Sequence, residues 1–255
     1  MSTVEVRRFA NEAALADAIA ARFITHVVTR QADTGHAHVC LTGGGIGTAC
    51  LAAIAASPAC DSIDWTTVDI WWGDERYAPT GDPDRNETGA RAALLDHVAV
   101  DPSHVHPMAG PDRSPDVDAS AQSYADELRL ASRPEDHADV PSFDICMLGI
   151  GPEGHVASLF PEAPALHDDR SVVAVRNSPK PPPTRVSLTF PSINAAREVW
   201  ILASGAEKAQ AIRETLEGAG PLQVPAAGVH GRERTVFLLD DAAAGLLPEG
   251  LFPSN

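Results

Sequence analysis

Phe143-Asp144-Ile145-Cys146-Met147-Leu148 runs directly into Gly149-Ile150-Gly151-Pro152-Glu153-Gly154-His155. A near-continuous apolar run halted by glycines is the pattern of a strand buried on both faces, and such strands belong to parallel sheets covered by helices. The same pattern recurs at His38–Thr42 before Gly43 and at Thr67–Trp72 before Gly73. Further strands are predicted over residues 4–9, 171–175, 186–188, 198–203 and 234–239. Ala-rich stretches with helical spacing lie between them, predicting helices over residues 12–29, 47–56, 86–97, 119–130 and 206–216, and a short one over 241–246. The alternation predicts an α/β fold, a mostly parallel sheet with helices on both faces, in a single domain spanning 1–255. Sheets of this kind bind ligands outside the carboxyl ends of their strands. The residues after Thr42, Trp72 and Leu148 are therefore the first place to look for chemistry.

Composition narrows the function. The 255 residues carry 19 Lys plus Arg against 35 Asp plus Glu, a formal charge of −16. Nucleic acids and anionic membranes both select a basic face, so neither is an expected partner. No apolar run approaches the length of a membrane span, about eighteen residues, and the first residues lack the apolar region of a signal peptide. The four cysteines, at 40, 50, 60 and 146, form no CxxC pair. Cys40 and Cys146 lie in apolar runs and read as buried thiols, and neither a disulfide framework nor a zinc site is expected from the cysteines. The expectation is a reduced, cytoplasmic, soluble protein. An anionic substrate would need a locally positive pocket in this negative field, and only Lys180 and Lys208 among the 19 cations are lysines.

Four segments carry candidate chemistry. Leu41-Thr42-Gly43-Gly44-Gly45-Ile46-Gly47 follows a strand and opens a helix. Glycines allow a tight turn whose N–H groups, with the helix dipole, suit a phosphate; a bare strand-to-helix turn is the bland alternative. Gly149-Ile150-Gly151-Pro152-Glu153-Gly154 matches GxGxxG, but Pro152 restricts the turn, and Pro161 and Pro164 cut the next helix too short for a dinucleotide unit. His155 follows those glycines beside Glu153, and an imidazole there is either a structural or solvated histidine or one suited to taking a proton from water. Asp74-Glu75-Arg76 ends a buried strand and reads as charged residues outside the core: either a solvated turn, or Arg76 for a phosphate and Asp74 for sugar hydroxyls. Asn86 either caps the next helix or reaches a ligand. Lys180 and Arg185 flank a proline run that is either a surface loop between strands or a stiff loop holding two cations toward a site. His36 and His38 imitate a metal pair, but no carboxylate or cysteine cluster completes it in the sequence. His104 and His106 read as loop and strand-edge residues.

Taken in order, these segments resemble the 6-phosphogluconolactonase family over nearly the whole chain. Leu148 to Pro161, Leu-Gly-Ile-Gly-Pro-Glu-Gly-His-Val-Ala-Ser-Leu-Phe-Pro, is similar to the family's LGxGxDGHxASLFP signature. Leu41-Thr42-Gly43-Gly44-Gly45, Trp72-Gly73-Asp74-Glu75-Arg76 with Asn86 downstream, and Lys180-Pro181-Pro182-Pro183-Thr184-Arg185 followed by Val186-Ser187-Leu188-Thr189 match its other motifs. The chain departs from the pattern at Glu153, where Asp is usual, at Val156, where Thr is frequent, and at Gly45-Ile46. The resemblance implies a Rossmann-like fold shared with glucosamine-6-phosphate deaminase and ribose-5-phosphate isomerase. It implies hydrolysis of 6-phosphoglucono-δ-lactone to 6-phosphogluconate in the oxidative pentose phosphate pathway, with no cofactor and no metal. By motif, His155 would be the general base. Thr42, Gly43, Gly44, Asp74, Arg76, Asn86, Gly154, Lys180 and Arg185 would hold the substrate, its phosphate or neighbouring oxygens. The expected partner is the sugar phosphate lactone alone, on a monomer. Two rivals remain: a hexosamine-6-phosphate deaminase or isomerase, and a non-catalytic sugar-phosphate sensor. The proline loop and the Gly-His-x-Ala-Ser-Leu-Phe-Pro run favour the lactonase over the first. The net charge, and a chain that starts directly into a strand, weigh against the second.

Overall fold

The computed structural model describes residues 3–248 and Gly250; the extreme ends of the expected 1–255 domain lie outside these. In chain order the elements are β1 (Thr3–Phe9), α1 (Glu12–Thr34), β2 (Ala37–Leu41), α2 (Gly44–Ala56), β3 (Val68–Trp72), β4 (Asp74–Arg76), α3 (Asn86–Ala93), α4 (Val117–Ala131), β5 (Ile145–Gly149), β6 (Val172–Val175), β7 (Arg185–Leu188), α5 (Phe190–Asn194), β8 (Glu198–Ala203), α6 (Ala209–Leu216) and β9 (Arg234–Asp240). Among the described residues a six-stranded sheet has the order β1-β9-β8-β5-β2-β3. All its pairings are parallel. A three-stranded sheet, β4-β7-β6, is antiparallel.

Pleating explains why the central strands are apolar throughout. Successive side chains point to opposite faces, and here both faces are core. Ile145 and Met147 of β5 join one apolar cluster with Leu15, Ile19 and Phe23 of α1 and Leu51 and Ile54 of α2. Cys146 and Leu148 join the other, with Tyr124 and Leu128 of α4, Ile212 of α6, and Val172, Val186 and Leu188 of the small sheet. The small sheet thus shares a core with the large one. Cys40 and Cys146 are buried free thiols, as expected, and so are Cys50 and Cys60, for which the sequence carried no such expectation.

Capping accounts for most differences from the expected boundaries. α1 continues to Thr34 because Gly35, at φ 75°, ends it, while the Asn11 side chain accepts from the Ala14 N–H at its start. α2 begins three residues early, within its glycines. The helix expected over 86–97 stops at Ala93, Leu94 leaves helical backbone, and a 3₁₀ turn covers Leu95–His97. No α-helix forms over 241–246; the Asp240 carboxylate accepts from the Ala243 N–H at 2.7 Å and holds turns instead, a local side-chain bond that competes with the helix ladder.

The clearest correction concerns Asp74-Glu75-Arg76. These residues are β4, paired antiparallel with β7, and Glu75 is only 2% exposed. Its carboxylate accepts from the N–H groups of Arg76, Asn86 and Glu87 at 2.7–2.8 Å, and Arg85 lies 3.7 Å away. It therefore caps α3 from a different strand, where Arg85 at the N-cap supplies no side-chain bond. Burial pushes Glu75 up to about 7, against the pull of Arg85 and those N–H donors.

Candidate active site

Strand order places the site. β2 is followed by β3 on one side, whereas β5 lies on its other side. The direction of winding reverses between β2 and β5, and a crevice opens where it does. The Gly149 N–H at the end of β5 donates to Thr42 Oγ1 just beyond β2, at 3.2 Å. A cavity of about 120 Å³ sits here, lined by Thr42, Gly43, Gly44, Asp74, Arg76, Asn86, Gly149, His155, Ala157 and Arg185. Eight of the ten residues singled out from sequence are among them.

Each wall has a local cause. Gly43 is the N-cap of α2 and offers no side-chain cap, so the first-turn N–H groups of α2 are left for another acceptor. A Cβ on Gly43 would lie 1.9 Å from Asn86 Oδ1, so only glycine lets the turn and Asn86 meet. Asn86 donates to the Asp74 carbonyl and carboxylate at 2.8 and 3.1 Å and accepts from Arg76 Nη1. Asp74 Oδ2 also accepts from Ser158 Oγ at 2.6 Å and lies 3.7 Å from Arg185 Nη1. Asp74 thus ties β4, α3, β7 and the segment after His155 together. Arg185 donates to the carbonyls of Lys180, Pro181 and Pro182 at 3.1–3.3 Å, pinning the proline loop from below.

The base candidate is oriented by charge. His155 Nδ1 lies 3.0 Å from Glu153 Oε1, and Glu153 Oε2 lies 3.2 Å from Lys180 Nζ. Burial raises the Glu153 carboxyl, but its own N–H, His155 and Lys180 outweigh this and hold it below the usual carboxylate range. An ionised carboxylate can only accept, so Nδ1 carries the proton and Nε2 is left as the acceptor. Burial lowers His155 to about 4, with Glu153 pulling the other way and Lys180 adding to the depression. The ring packs on Phe160 at 4.5 Å between centroids. The arrangement is a neutral imidazole, fixed in one tautomer, beside two guanidinium groups and a glycine turn.

Residues 10–237 match the family model described as glucosamine-6-phosphate isomerases/6-phosphogluconolactonase. The chain belongs to that family. It is 57% identical to the 6-phosphogluconolactonase of Streptomyces coelicolor over 94% of this chain and 93% of that one. It is 36% identical to a human 6-phosphogluconolactonase over 77% of this chain and 73% of that one. A solved 6-phosphogluconolactonase from Trypanosoma brucei superposes with a TM-score of 0.83, at 26% identity, covering 97% of this chain and 99% of that one.

Two family-motif residues fall outside the cavity lining. Gly154 has φ 85°, its N–H donates to the Gly151 carbonyl at 2.9 Å, and a Cβ there would lie 2.6 Å from Val224 Cγ1. It shapes the turn beneath His155. Lys180 stands at the rim and reaches the site through Glu153. The longer Glu side chain, where the family usually has Asp, still spans from His155 to Lys180. Sequence reading missed Ser158, which anchors Asp74, although it lies inside the quoted signature. It also missed Glu75 as a buried cap. The GxGxxG segment lacks the helix of a dinucleotide site, because the only helical structure from Gly151 to Arg170 is the 3₁₀ turn Pro164–His167. The statement that no carboxylate completes the His36/His38 pair is overturned. Asp69 lies opposite His38 on β3, and the donor atoms of all three lie within 4.8 Å of one another.

Proposed function

We propose that this chain hydrolyses 6-phosphoglucono-δ-lactone to 6-phosphogluconate, with His155 as general base. The observation that carries the reading is the meeting, in one cavity, of the Glu153-oriented imidazole with Arg76, Arg185 and the uncapped start of α2. His155 Nε2 takes a proton from water, and the hydroxide oxygen bonds to lactone C1. The C1–O π pair moves to the carbonyl oxygen. It then returns, the C1–ring oxygen bond breaks, and the departing oxygen takes the proton from His155. Charge on the carbonyl oxygen is met by donors fixed beforehand, which act without reorganising. Arg76 and the Gly43–Gly44 turn anchor the phosphate and hold C1 against the base, converting remote binding energy into orientation. Lys180 and Glu153 are positioning residues acting through His155; Asp74 and Asn86 position the two arginines. Every group comes from one chain, so the reading needs no second subunit.

The test is loss of lactone, generated fresh from glucose 6-phosphate, over the spontaneous blank in EDTA. Catalysis is expected, and His155→Ala should lower kcat by about 10²–10⁴. Binding of 6-phosphogluconate without turnover would instead indicate a sensor. A His155→Ala enzyme retaining most of its rate would remove the base assignment.

A further inference from the structure

The amino ends of β2 and β3 hold a second cluster, at the opposite end of these strands from the lactone cavity. His38 and Thr42 are four strand residues apart, about 13 Å. His36 and His38 flank Ala37, and Asp69 faces His38 across the β2–β3 ladder. The 3₁₀ turn Pro102–His104 leads into a bridge to β3 at Val105–Ile70, which brings His104 and His106 to the same carboxylate. Asp69 Oδ2 lies 2.5 Å from His36 Nε2 and 3.3 Å from His38 Nδ1. Asp69 Oδ1 lies 2.9 Å from His106 Nε2 and 3.8 Å from His104 Nδ1. Four imidazoles thus surround one carboxylate.

Hydrogen bonds account for only two of them, His36 and His106. Nδ1 of His38 and of His104 are buried without a hydrogen-bond partner. Buried polar atoms of this kind call for a partner, an ordered water or a bound ion, and here two of them converge on one carboxylate. His106 is held in place by Trp71, stacked at 3.8 Å. His36 and His38 also line a cavity of about 240 Å³ that gives access from solvent.

We propose that His36, His38 and Asp69 bind a divalent transition cation of the zinc class, with His104 the adjoining imidazole and His106 bracing the carboxylate. Two imidazoles and one carboxylate are a borderline-soft donor set suited to zinc, rather than to magnesium or calcium, which prefer all-oxygen shells. Ligands about 2.0–2.1 Å from a tetrahedral ion stand about 3.3 Å apart. The His38–Asp69 pair already has that spacing. The His36–Asp69 pair is closer because a proton joins them, and the cation takes the place of that proton. Four arginines also line the cavity: Arg30 is paired with Asp144 at 2.6 Å and Arg197 with Glu233 at 2.7 Å, while Arg133 and Arg232 face it together with the carboxylates of Glu135, Asp136 and Asp144.

The test uses the full chain stripped with chelator and titrated with zinc chloride against a chromogenic competitor. One equivalent should bind with micromolar or tighter affinity. His36→Gln and His38→Gln should each weaken binding at least tenfold while leaving lactone turnover unchanged. His155→Ala should leave zinc binding as it is. Because a substitution in β2 can perturb folding, cobalt(II) is added to the unaltered chain as a second readout, and should give the visible absorption of a four-coordinate site. No bound zinc in the unaltered chain, binding indifferent to both histidine substitutions, or binding abolished by His155→Ala would each overturn the proposal. The last would place the ion at the catalytic histidine.

Discussion

Lowering the pH from 7 to 5 should leave kcat nearly unchanged. General base work needs a neutral imidazole, so activity is present above the pKa of His155 and lost as the pH falls through it. An ordinary histidine, at about 6.5, would be about 3% neutral at pH 5, and kcat would fall about 25-fold from its value at pH 7. Burial brings His155 to about 4, and such a base is still about nine-tenths neutral at pH 5. The substrate's phosphate ionises near pH 6 and could imitate a catalytic limb. The assay therefore uses kcat at saturating lactone, which reports groups in the bound complex. Folding must be followed in parallel by circular dichroism. A histidine whose folded pKa lies below its unfolded value binds fewer protons when folded, so its contribution falls as pH drops from 6.5 toward 4, by on the order of 3 kcal/mol at pH 4. Lys180→Met removes a cation that depresses His155 and should move the acid limb upward. A tenfold or greater fall in kcat between pH 7 and 5, with a midpoint near 6.5 and the protein still folded, would refute the reasoning.

Gly43→Ala should leave the fold intact yet lower kcat/KM by about 10²-fold, the scale of a 1 Å misplacement. The new Cβ would displace Asn86, and with it the hold on Arg76; steady-state kinetics with matched circular dichroism spectra check this. Tyr124→Phe should cost about 1–3 kcal/mol in urea unfolding. The buried Tyr124 hydroxyl accepts from the Trp72 N–H at 2.9 Å and donates to its carbonyl at 3.1 Å, closing the outer edge of β3. Glu75→Ala should also destabilise by about 1–3 kcal/mol, because the first-turn N–H groups of α3 lose their acceptor. An unchanged urea midpoint would remove the capping role.

The α/β class was legible because β2, β3 and β5 are apolar on both faces, and only a sheet covered twice requires that. The cavity was legible for a related reason. Most of its residues follow the carboxyl ends of those same strands, with Asn86 from α3 and Arg185 from β7 joining them, and they sit in four motifs quoted in sequence order. Asp74-Glu75-Arg76 was illegible because its partners are distant. Ser158 satisfies Asp74 from 84 residues away, and Arg85, Asn86 and Glu87 satisfy Glu75 from a helix start whose position is set by the fold. Charges are excluded from a core only when unpaired, and pairing at such separation is a tertiary fact. Asp69 was hidden in the opposite way. Inside Val68-Asp69-Ile70-Trp71-Trp72 it reads as the polar interruption of an apolar strand, and only the β2–β3 register sets it against His38.

The same distinction between local and tertiary charge explains how an anion can be handled by a chain of net charge −16. The cavity's positive groups are not a surplus of basic residues. Arg185 is 4% exposed, and three carbonyls of the proline loop hold it in place. Arg76 is fixed by Asn86, which Asp74 fixes in turn. A guanidinium anchored in this way reaches an anion with little side-chain entropy left to lose, and it acts at contact distance, well inside the screening length of about 8 Å at physiological salt. The surrounding negative surface acts over longer distances, where screening is effective. Acidic residues at the surface and an anion-binding cavity are therefore compatible in one chain. The acidic side chains inside the site, Asp74 and Glu153, are each offset by a cation, Arg185 at 3.7 Å from the first and Lys180 at 3.2 Å from the second, while Asn86, Ser158 and His155 satisfy their remaining lone pairs.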